Sequence, residues 1–207
     1  MATAKKQRLT PENRRQLLLE ATRNTLARYG AQGTGVREIC SELDVSPGLL
    51  THYFSGKESL FIAAYEDMAQ GYLREIEAIA GDRRLSAEDR LKELFRLYFS
   101  KRWSGDDTIG AYTGFWSLSQ TIPELKSAFE NTFEQQLSVF EQLISDLVEE
   151  RKLRLPPKPF ASFLLVFLEG VWLESCLNPR TVDKDSIQAF CWDWLECYMS
   201  AKSRLDT

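Results

Sequence analysis

Apolar residues recur every three to four positions through most of the chain. From Leu18 to Tyr29 the small and apolar residues follow one stripe of a helix with 3.6 residues per turn. Thr10 is a good N-cap for that helix, Pro11 suits its first position and Gly30 suits its end. We find no segment that alternates with the period of a β-strand. The spacing therefore predicts an all-α chain of about nine helices.

Capping patterns divide the rest of the chain. Ser86 and Asp89 have capping-box spacing and predict a helix through Tyr98, and Ser55 and Glu58 have the same spacing. The second pair predicts that a fourth helix starts at about residue 56. Further helices are expected at about 123–152, 159–177 and 185–201, with one short helix within 104–120.

Positive charge is concentrated at the N-terminal end. The whole chain carries a net charge of −4, but residues 1–60 hold nine Lys or Arg and six Asp or Glu, a net +3, which leaves −7 for the remainder. A basic head on an acidic body predicts that one end meets a polyanion. Lys5, Lys6 and Arg8 lie on an N-terminal arm that either reaches a nucleic-acid backbone or only aids solubility.

Two short helices joined by a tight turn are predicted at 36–43 and 47–53, which is the outline of a helix-turn-helix. Ser46 would cap the second helix, with Leu50, Tyr53 and Phe54 on its packed side. A short helix whose outer face is polar and free of bulky projections suits the major groove of DNA. The alternatives are a plain turn at Ser-Pro-Gly and a structural role for His52. The outer face comprises Pro47, Gly48, Thr51 and His52, with Leu49 at its edge.

The segment GTGVREICSELDVSPGLLTHYFSGKESL, residues 33–60, resembles the DNA-binding segment of TetR-family transcriptional regulators. The likeness combines a dozen positions with the helix lengths around them. Two further segments, GFWSLSQTIPELKSAF and FLEGVWLESCLNP, look like the branch that contains the choline/betaine-pathway repressors. Gly35 departs from the family, which often places Ser or Thr there as a cap, but Gly is a tolerable N-cap.

The resemblance implies a sequence-specific, ligand-relieved repressor that binds a palindromic double-stranded DNA operator. It implies that residues 1–55 form the arm and DNA-binding domain, and that residues 56–207 bind ligand and dimerise. Phosphates would be held by Arg37, Tyr53 and Lys57. Bases would be faced by Pro47, Gly48, Leu49, Thr51 and His52.

The last two predicted helices are apolar over most of their circumference. Such helices need partners on two sides, and a second copy of the chain can supply one of them as a four-helix interface. This is also the dimer mode of the TetR family, and a deep monomeric core is the alternative. The predicted interface residues are Phe163, Phe167, Val171, Phe190, Trp194 and Tyr198.

Aromatic residues are plentiful in the body of the chain. Together with Glu169 or Glu174 they would suit a quaternary ammonium effector through cation–π attraction, although such residues also build plain cores. The predicted effector residues are Tyr65, Tyr72, Trp103, Tyr112, Phe115, Trp116, Glu169 and Trp172.

Other classes of protein fit the sequence less well. The single histidine leaves little for a catalytic triad or a metal site, and the glycines lack the order of a dinucleotide loop, so no enzyme, metal or cofactor is expected. A helical protein-interaction adaptor would explain the dimer face but not the basic head. The four cysteines are expected to be buried free thiols, with a redox switch as the alternative.

No secretory signal is recognised at the N-terminus. The most hydrophobic run, residues 160–177, is interrupted by Glu169 and Gly170 and is expected to fall short of a membrane span. A cytoplasmic protein without a membrane partner is therefore expected.

Overall fold

The computed structural model describes residues 10–180 and 183–204, and within them the chain is all-helical, as predicted. The expectation of about nine helices is confirmed, with a tenth element, α6, of a single turn. The predicted arm residues Lys5, Lys6 and Arg8 lie outside the described residues. The helices are α1 Pro11–Tyr29, α2 Val36–Glu42, α3 Pro47–Tyr53, α4 Lys57–Ala80, α5 Ala87–Tyr98, α6 Lys101–Ser104, α7 Asp106–Ser119, α8 Pro123–Arg151, α9 Pro157–Leu177 and α10 Lys184–Arg204.

Several helix ends follow the local signals in the sequence. The Thr10 hydroxyl oxygen accepts from the backbone N–H of Asn13 at 3.2 Å, and Gly30 has a φ of 66°, a conformation that favours glycine. The Ser86 hydroxyl accepts from the N–H of Asp89 at 3.0 Å and donates to the Asp89 carboxylate at 2.8 Å. These ends therefore depend on local contacts.

The start of α4 differs in detail from the prediction. The helix begins at Lys57, but the side chain that contacts Gly56 is Ser59 rather than a Ser55–Glu58 capping box. The N–H of Gly56 donates to the Ser59 hydroxyl at 3.2 Å, and that hydroxyl donates to the Gly56 carbonyl at 2.9 Å.

The segment 104–120 is more helical than predicted, because α7 alone has 14 residues. Gly110 and Gly114 lower the local helix propensity, yet both lie against α1. A Cβ at Gly110 would be 2.9 Å from the Ala27 Cα, and one at Gly114 would be 3.1 Å from the Leu26 Cδ2. Close packing against α1 thus explains a helix that local propensity does not favour.

The chain forms two compact units. The first contains the described part of Met1–Met68 together with Gly110–Ala128, and the second contains Ala69–Ile109 with the described part of Phe129–Thr207. Helix α4 therefore contributes to both units. The functional boundary near residue 55 is a different division of the chain and stays a prediction.

A buried arginine fixes the end of α4 within the second unit. Arg90 on α5 is only 1% exposed, and it donates to the Ala80 carbonyl at 2.7 Å and to the Asp146 carboxylate at 2.8 Å. Removing one partner of such a pair leaves an uncompensated buried charge. The pair thus holds α4, α5 and α8 together.

Helix α9 is long and apolar enough to cross a membrane by length and composition, with a mean hydropathy of 1.7 over its most apolar window. The expected shortfall in length is therefore wrong. Only 33% of that window is buried within the chain. One such helix is weak evidence for a span, because the core helices of water-soluble proteins pass the same test. An exposed apolar face of this kind is typical of an interaction surface.

A candidate DNA-contacting face and a candidate effector site

Helix α3 has a buried side and an exposed side. Leu50 is 1% exposed and the following Phe54 is 6% exposed, whereas Tyr53 is partly buried. These residues anchor the helix in the first unit, as the apolar spacing predicted. The predicted outer face is open to solvent at Pro47, Gly48, Thr51 and His52, and half-buried at Leu49.

The turn before α3 is tight. The N–H of Val45 donates to the Cys40 carbonyl at 3.0 Å, and Asp44 has a φ of 52° in the left-handed region. Asp tolerates that conformation better than most residues with a side chain. Ser46 occupies the predicted N-cap position, but its hydroxyl makes no capping hydrogen bond. Pro47 at the first position therefore starts the helix without help from that side chain.

The polar groups on the outer face differ in the hydrogen bonds that they can offer. The Thr51 hydroxyl donates to the Gly48 carbonyl at 3.0 Å, so its proton is engaged, and the side chain as a whole is exposed. The ring of His52 meets the ring of Tyr53 edge-on at 5.1 Å. Thr51 can thus accept a hydrogen bond or contact a thymine methyl, while His52 can donate or accept one.

Two predicted phosphate-binding cations lie on the helices that precede and follow α3 in the chain. Arg37 near the start of α2 and Lys57 at the start of α4 are exposed, and Lys57 Nζ lies 5.6 Å from the Phe61 ring centre. Neither side chain forms an ion pair within the part of the chain that the structure describes. The sequence interpretation missed Arg15 of α1, whose guanidinium lies 5.2 Å from the Phe54 ring centre. Only the fold brings Arg15 beside the end of α3.

A second group of residues lies within the second unit, and we call Tyr72, Trp103, Glu169 and Trp172 the aromatic–acidic cluster. The rings of Tyr72 and Trp103 meet edge-on at 5.1 Å. The Trp172 indole N–H donates to the Trp103 carbonyl at 3.0 Å. Four of the eight predicted effector residues are therefore brought together by α4, α6 and α9.

Glu75, which the sequence interpretation missed, holds Trp103 in place. Its carboxylate lies 2.7 Å from the Arg102 guanidinium and accepts from the Trp103 indole N–H at 3.2 Å. Glu75 stands three residues after Tyr72 on the same helix face, and that spacing was the available signal. The charge of Glu75 is therefore already compensated by Arg102.

Glu169 lacks such compensation. Burial raises its pKa to about 7, and among the described residues no ion pair with its carboxylate is formed. The Tyr72 hydroxyl is also buried. Burial raises the pKa of Tyr72, as do the charges of Glu169 and Glu75, whereas a hydrogen bond with the Tyr98 side chain lowers it. The cluster thus contains a buried phenol and a largely buried carboxyl that forms no ion pair among the described residues.

The other four predicted effector residues belong to the first unit. Tyr65 and Phe115 are buried and meet edge-on at 5.8 Å, as core residues do. Tyr112 is half-buried, and Trp116 is 58% exposed. Their assignment to an effector site stays a prediction, and the cluster described above does not need them.

The predicted dimer residues form an aromatic row on α9 and α10. Phe163 lies 6.0 Å from Phe167 and 5.6 Å from Trp194, and Trp194 lies 5.7 Å from Tyr198, between ring centres. Phe163 is 51% exposed and Phe190 is 61% exposed, while Phe167, Val171, Trp194 and Tyr198 are half-buried. Exposed aromatic groups of this size mark an interaction surface.

The cysteines only partly follow the prediction. All four are free thiols, but only Cys40 and Cys191 are buried, whereas Cys176 is half-buried and Cys197 is exposed. Cys197 is exposed on α10, so the burial predicted for it is wrong. Among the described residues, no group of three or more His, Cys, Asp or Glu could hold a metal ion.

The fold and the exposed α3 define a helix-turn-helix regulator with a helical body. Residues 18–64 match the family of bacterial regulatory proteins named tetR, and residues 87–198, more than half of the chain, match the C-terminal domain of BetI-type transcriptional repressors. The chain belongs to the TetR family and carries a BetI-type C-terminal domain. The predicted resemblance to this family is confirmed.

Individual relatives agree with this assignment. The HTH-type transcriptional regulator BetI of Vibrio campbellii is 25% identical over 94% of this chain and 96% of its own length. The regulator of the same name from Escherichia coli K12 is 27% identical over 83% of this chain and 86% of its own. The chain therefore matches these regulators nearly end to end.

Solved structures share the fold. A candidate transcriptional regulator from Pseudomonas aeruginosa PAO1 has a TM-score of 0.83 at 30% identity, and the match covers 93% of each chain. A candidate regulator from Saccharomonospora viridis, determined in complex with choline, has a TM-score of 0.79 at 17% identity, with 89% of this chain and 96% of that chain covered.

The function predicted from the sequence is confirmed at the level of the family. The protein is a TetR-type, BetI-like DNA-binding repressor that acts on a DNA operator, and its family is one of regulators rather than enzymes. The alternative of a protein-interaction adaptor without DNA binding does not fit this membership.

Proposed function

We propose that two copies of this chain bind a palindromic operator through α3 and release it when a quaternary ammonium compound occupies the aromatic–acidic cluster. The DNA part of the proposal rests on the difference between the buried and the exposed side of α3. Its anchors Leu50 and Phe54 are buried, whereas Gly48, Thr51 and His52 are exposed. A cytoplasmic location is part of the proposal, since the operator lies there.

The roles of the DNA-contacting residues follow from their chemistry. Arg37, Tyr53 and Lys57 hold phosphates, which fix the position of the protein on the duplex without reading its sequence. Sequence is read from base edges by the residues of the outer face of α3. Gly48 lets the backbone approach the groove closely, and Leu49 contacts apolar groups. The full set of proposed base-reading residues is Pro47, Gly48, Leu49, Thr51 and His52.

The DNA part is tested by comparing two kinds of substitution. Tyr53→Ala with Lys57→Ala is expected to weaken binding to all sequences by about tenfold or more and to reduce the dependence of log K on log salt by about one or two units. Thr51→Ala or His52→Ala is expected to change the preferred sequence instead. Binding to a randomised operator library, followed by sequencing, measures both effects. An unchanged preference in the Thr51 and His52 variants would reject the assignment of α3 to the groove.

The effector part rests on Glu169. The largely buried carboxyl of Glu169 forms no ion pair among the described residues, and a bound cation would stabilise its charged form. The Arg102 guanidinium already lies 5.1 Å from the Trp103 ring centre, so the ring of Trp172, three residues after Glu169 on α9, is the proposed cation–π partner. A quaternary ammonium group meets these requirements, since it has no N–H donors that would need hydrogen-bond acceptors. The related fold crystallised with choline makes this class of ligand a natural first choice.

The effector part is tested by titrating the full chain with choline, glycine betaine aldehyde and glycine betaine by calorimetry, with and without operator DNA. Binding of at least one cation and a lower DNA affinity in its presence are expected. Glu169→Gln is expected to weaken cation binding by about tenfold or more. Glu174→Gln is the matched control, because Glu174 is an exposed carboxyl on the same helix. The absence of heat with all three compounds would remove the idea.

The homodimer is part of the proposal because a palindrome presents the same half-site twice. The row from Phe163 to Tyr198 supports it, since a second copy packed there would bury the exposed aromatic groups of α9 and α10. The same contact between two copies would explain why α9 is as apolar as a membrane-spanning helix, and no membrane is needed to explain it.

A further inference from the structure

We infer that Arg15 of α1 is a further phosphate-binding residue of the DNA-contacting face, and that the Phe54 ring holds its guanidinium in place. The inference deepens the proposed function and rests on it, because it adds a contact to those of Tyr53 and Lys57. Two observations carry it. The Arg15 guanidinium lies 5.2 Å from the centre of the Phe54 ring, and the exposed Arg15 forms no ion pair within the residues that the structure describes.

The contact with Phe54 places Arg15 at the junction of α3 and α4. Phe54 directly follows Tyr53, the last residue of α3, and stands three residues before Lys57, the first residue of α4. The guanidinium therefore lies against the residue that separates the two proposed phosphate ligands in the chain. Arg15 adds a cation from α1 to a site whose other members come from α3 and α4.

The Arg15 guanidinium still has hydrogen-bond donors to offer. Two other arginines of α1 are engaged with carboxylates, since Arg23 lies 2.6 Å from Asp67 and Arg28 lies 3.2 Å from Glu42. A guanidinium presents several N–H donors in a planar fork that matches the oxygens of a phosphate. A cation held over an aromatic ring keeps these donors for an anion, because the ring does not accept them as a carboxylate does. Arg15 is therefore suited to a phosphate of the DNA backbone.

The Phe54 ring limits the positions that the guanidinium can take. Phe54 is only 6% exposed, so its ring is fixed by the packing of the first unit. A long arginine side chain loses rotamer freedom when it binds a phosphate, and a guanidinium that is already held over a ring has less freedom to lose. Phe54 is thus a positioning residue that acts through Arg15.

The test measures DNA affinity over a series of salt concentrations. It uses one duplex with the sequence selected from the randomised library and one duplex of unrelated sequence. Arg15→Ala is expected to weaken binding to both duplexes by about fivefold to tenfold and to reduce the slope of log K against log salt by about one. The preferred sequence should stay the same, because a phosphate contact carries no sequence information.

Arg28→Ala is the matched control. Arg28 is also an exposed arginine of α1 beside an aromatic ring, 5.8 Å from the Tyr29 ring centre, but it is paired with Glu42. Its removal changes the net charge of the chain by the same amount. It is expected to change the affinity by less than about twofold and to leave the salt slope unchanged, because no phosphate contact is lost. A thermal melt of each variant checks folding.

A double-mutant cycle tests the role of Phe54. Phe54→Leu keeps an apolar anchor at the end of α3 but removes the ring. In the Phe54→Leu background, Arg15→Ala is expected to weaken DNA binding by less than about twofold, because the guanidinium is no longer positioned there. The cycle cancels any general loss of affinity that the smaller side chain causes by itself.

The outcomes separate this inference from the proposed function. An Arg15→Ala protein with the salt slope of the parent would contradict the inference, even if it melted lower, because Arg15 would then only stabilise the fold. Equal losses from Arg15→Ala in the two backgrounds would contradict the role of Phe54. If the variant that combines Tyr53→Ala with Lys57→Ala also kept the slope of the parent, the proposed phosphate contacts would fail as well.

Discussion

At the scale of single residues, Glu169 shows how a proposed binding group can weaken the fold that holds it. The carboxyl is more stable without its charge in these surroundings, and burial accordingly raises its pKa from 4.5 to about 7. A bound cation would be attracted to the ionised carboxylate of Glu169. The protein without a ligand instead favours the neutral carboxyl. Ligand binding must supply the free energy to ionise it below pH 7.

The first prediction concerns the pH dependence of stability. Between pH 4.5 and about 7 the folded chain keeps a proton on Glu169 that the unfolded chain releases, so the free energy of unfolding falls as pH rises through this range. Glu169→Gln removes that proton. The stability of the variant relative to the parent should therefore rise by about 2–3 kcal/mol as the pH increases from 5 to 8. Urea unfolding at fixed protein concentration measures the difference at each pH.

Glu174→Gln is the control for this measurement. Glu174 is exposed on the same helix and forms a hydrogen bond with the Asn178 side chain, so its loss should change stability equally at both pH values. An equal effect of Glu169→Gln at pH 5 and pH 8 would contradict the raised pKa of Glu169.

At the scale of helices, α7 depends on its fit against α1. A Cβ at Gly110 would lie 2.9 Å from the Ala27 Cα and 3.0 Å from the Ala27 carbonyl oxygen, both of which are backbone atoms that cannot rotate away. Glycine costs a helix up to about 1 kcal/mol relative to alanine. Here the close approach of two helices outweighs that cost.

The second prediction follows from this contact. Gly110→Ala is expected to destabilise the chain by about 1–3 kcal/mol, because overpacking outweighs the gain in helix propensity. Gly71→Ala is the matched control: its Cβ would lie 3.7 Å from the Trp103 ring, an ordinary contact, so the propensity gain should remain. Denaturant unfolding compares the two variants. A Gly110→Ala protein as stable as its parent would show that α1 and α7 can separate without cost.

The same contrast explains what could be predicted from the sequence. The ends of α1 and α5 follow from Thr10, Gly30 and Ser86, because those signals act within three or four residues. The length of α7 could not be predicted, since the contacts of its glycines are with Ala27 and Leu26, far away in the chain.

The two candidate sites likewise differ in how much of each could be predicted from the sequence. The outer face of α3 was predictable because its seven residues form one local helix. The aromatic–acidic cluster was only half predictable, since composition gives the residue types but not the compact unit to which each belongs. The pairing of Glu75 with Arg102 and the hydrogen bond from the Trp172 indole to the Trp103 carbonyl both depend on the tertiary fold.

At the scale of the whole molecule, the proposed dimer would present two reading helices to the operator. Successive half-sites on one face of DNA lie about 34–36 Å apart, so a dimer must hold its two α3 helices at a matching separation. A ligand lowers DNA affinity only as far as it prefers a dimer shape in which that separation is wrong. Helix α4 is common to both parts of this mechanism, since it starts at Lys57 and carries Tyr72 and Glu75.

The last prediction concerns the dimer itself. Phe163 and Phe190 are 51% and 61% exposed, so a charged residue at either position should leave the fold of one chain intact. In the proposed dimer the same charge is buried without a partner, which costs several kcal/mol. Phe163→Glu is therefore expected to sediment as a monomer, to retain its helical circular dichroism, and to bind a palindromic operator at least 100-fold more weakly, because each head must then bind alone. Leu85→Glu is the control, since Leu85 is an exposed apolar residue in the turn before α5 and is not a member of the row. A Phe163→Glu protein that remains dimeric would place the interface elsewhere, and the exposed face of α9 would then need a different partner.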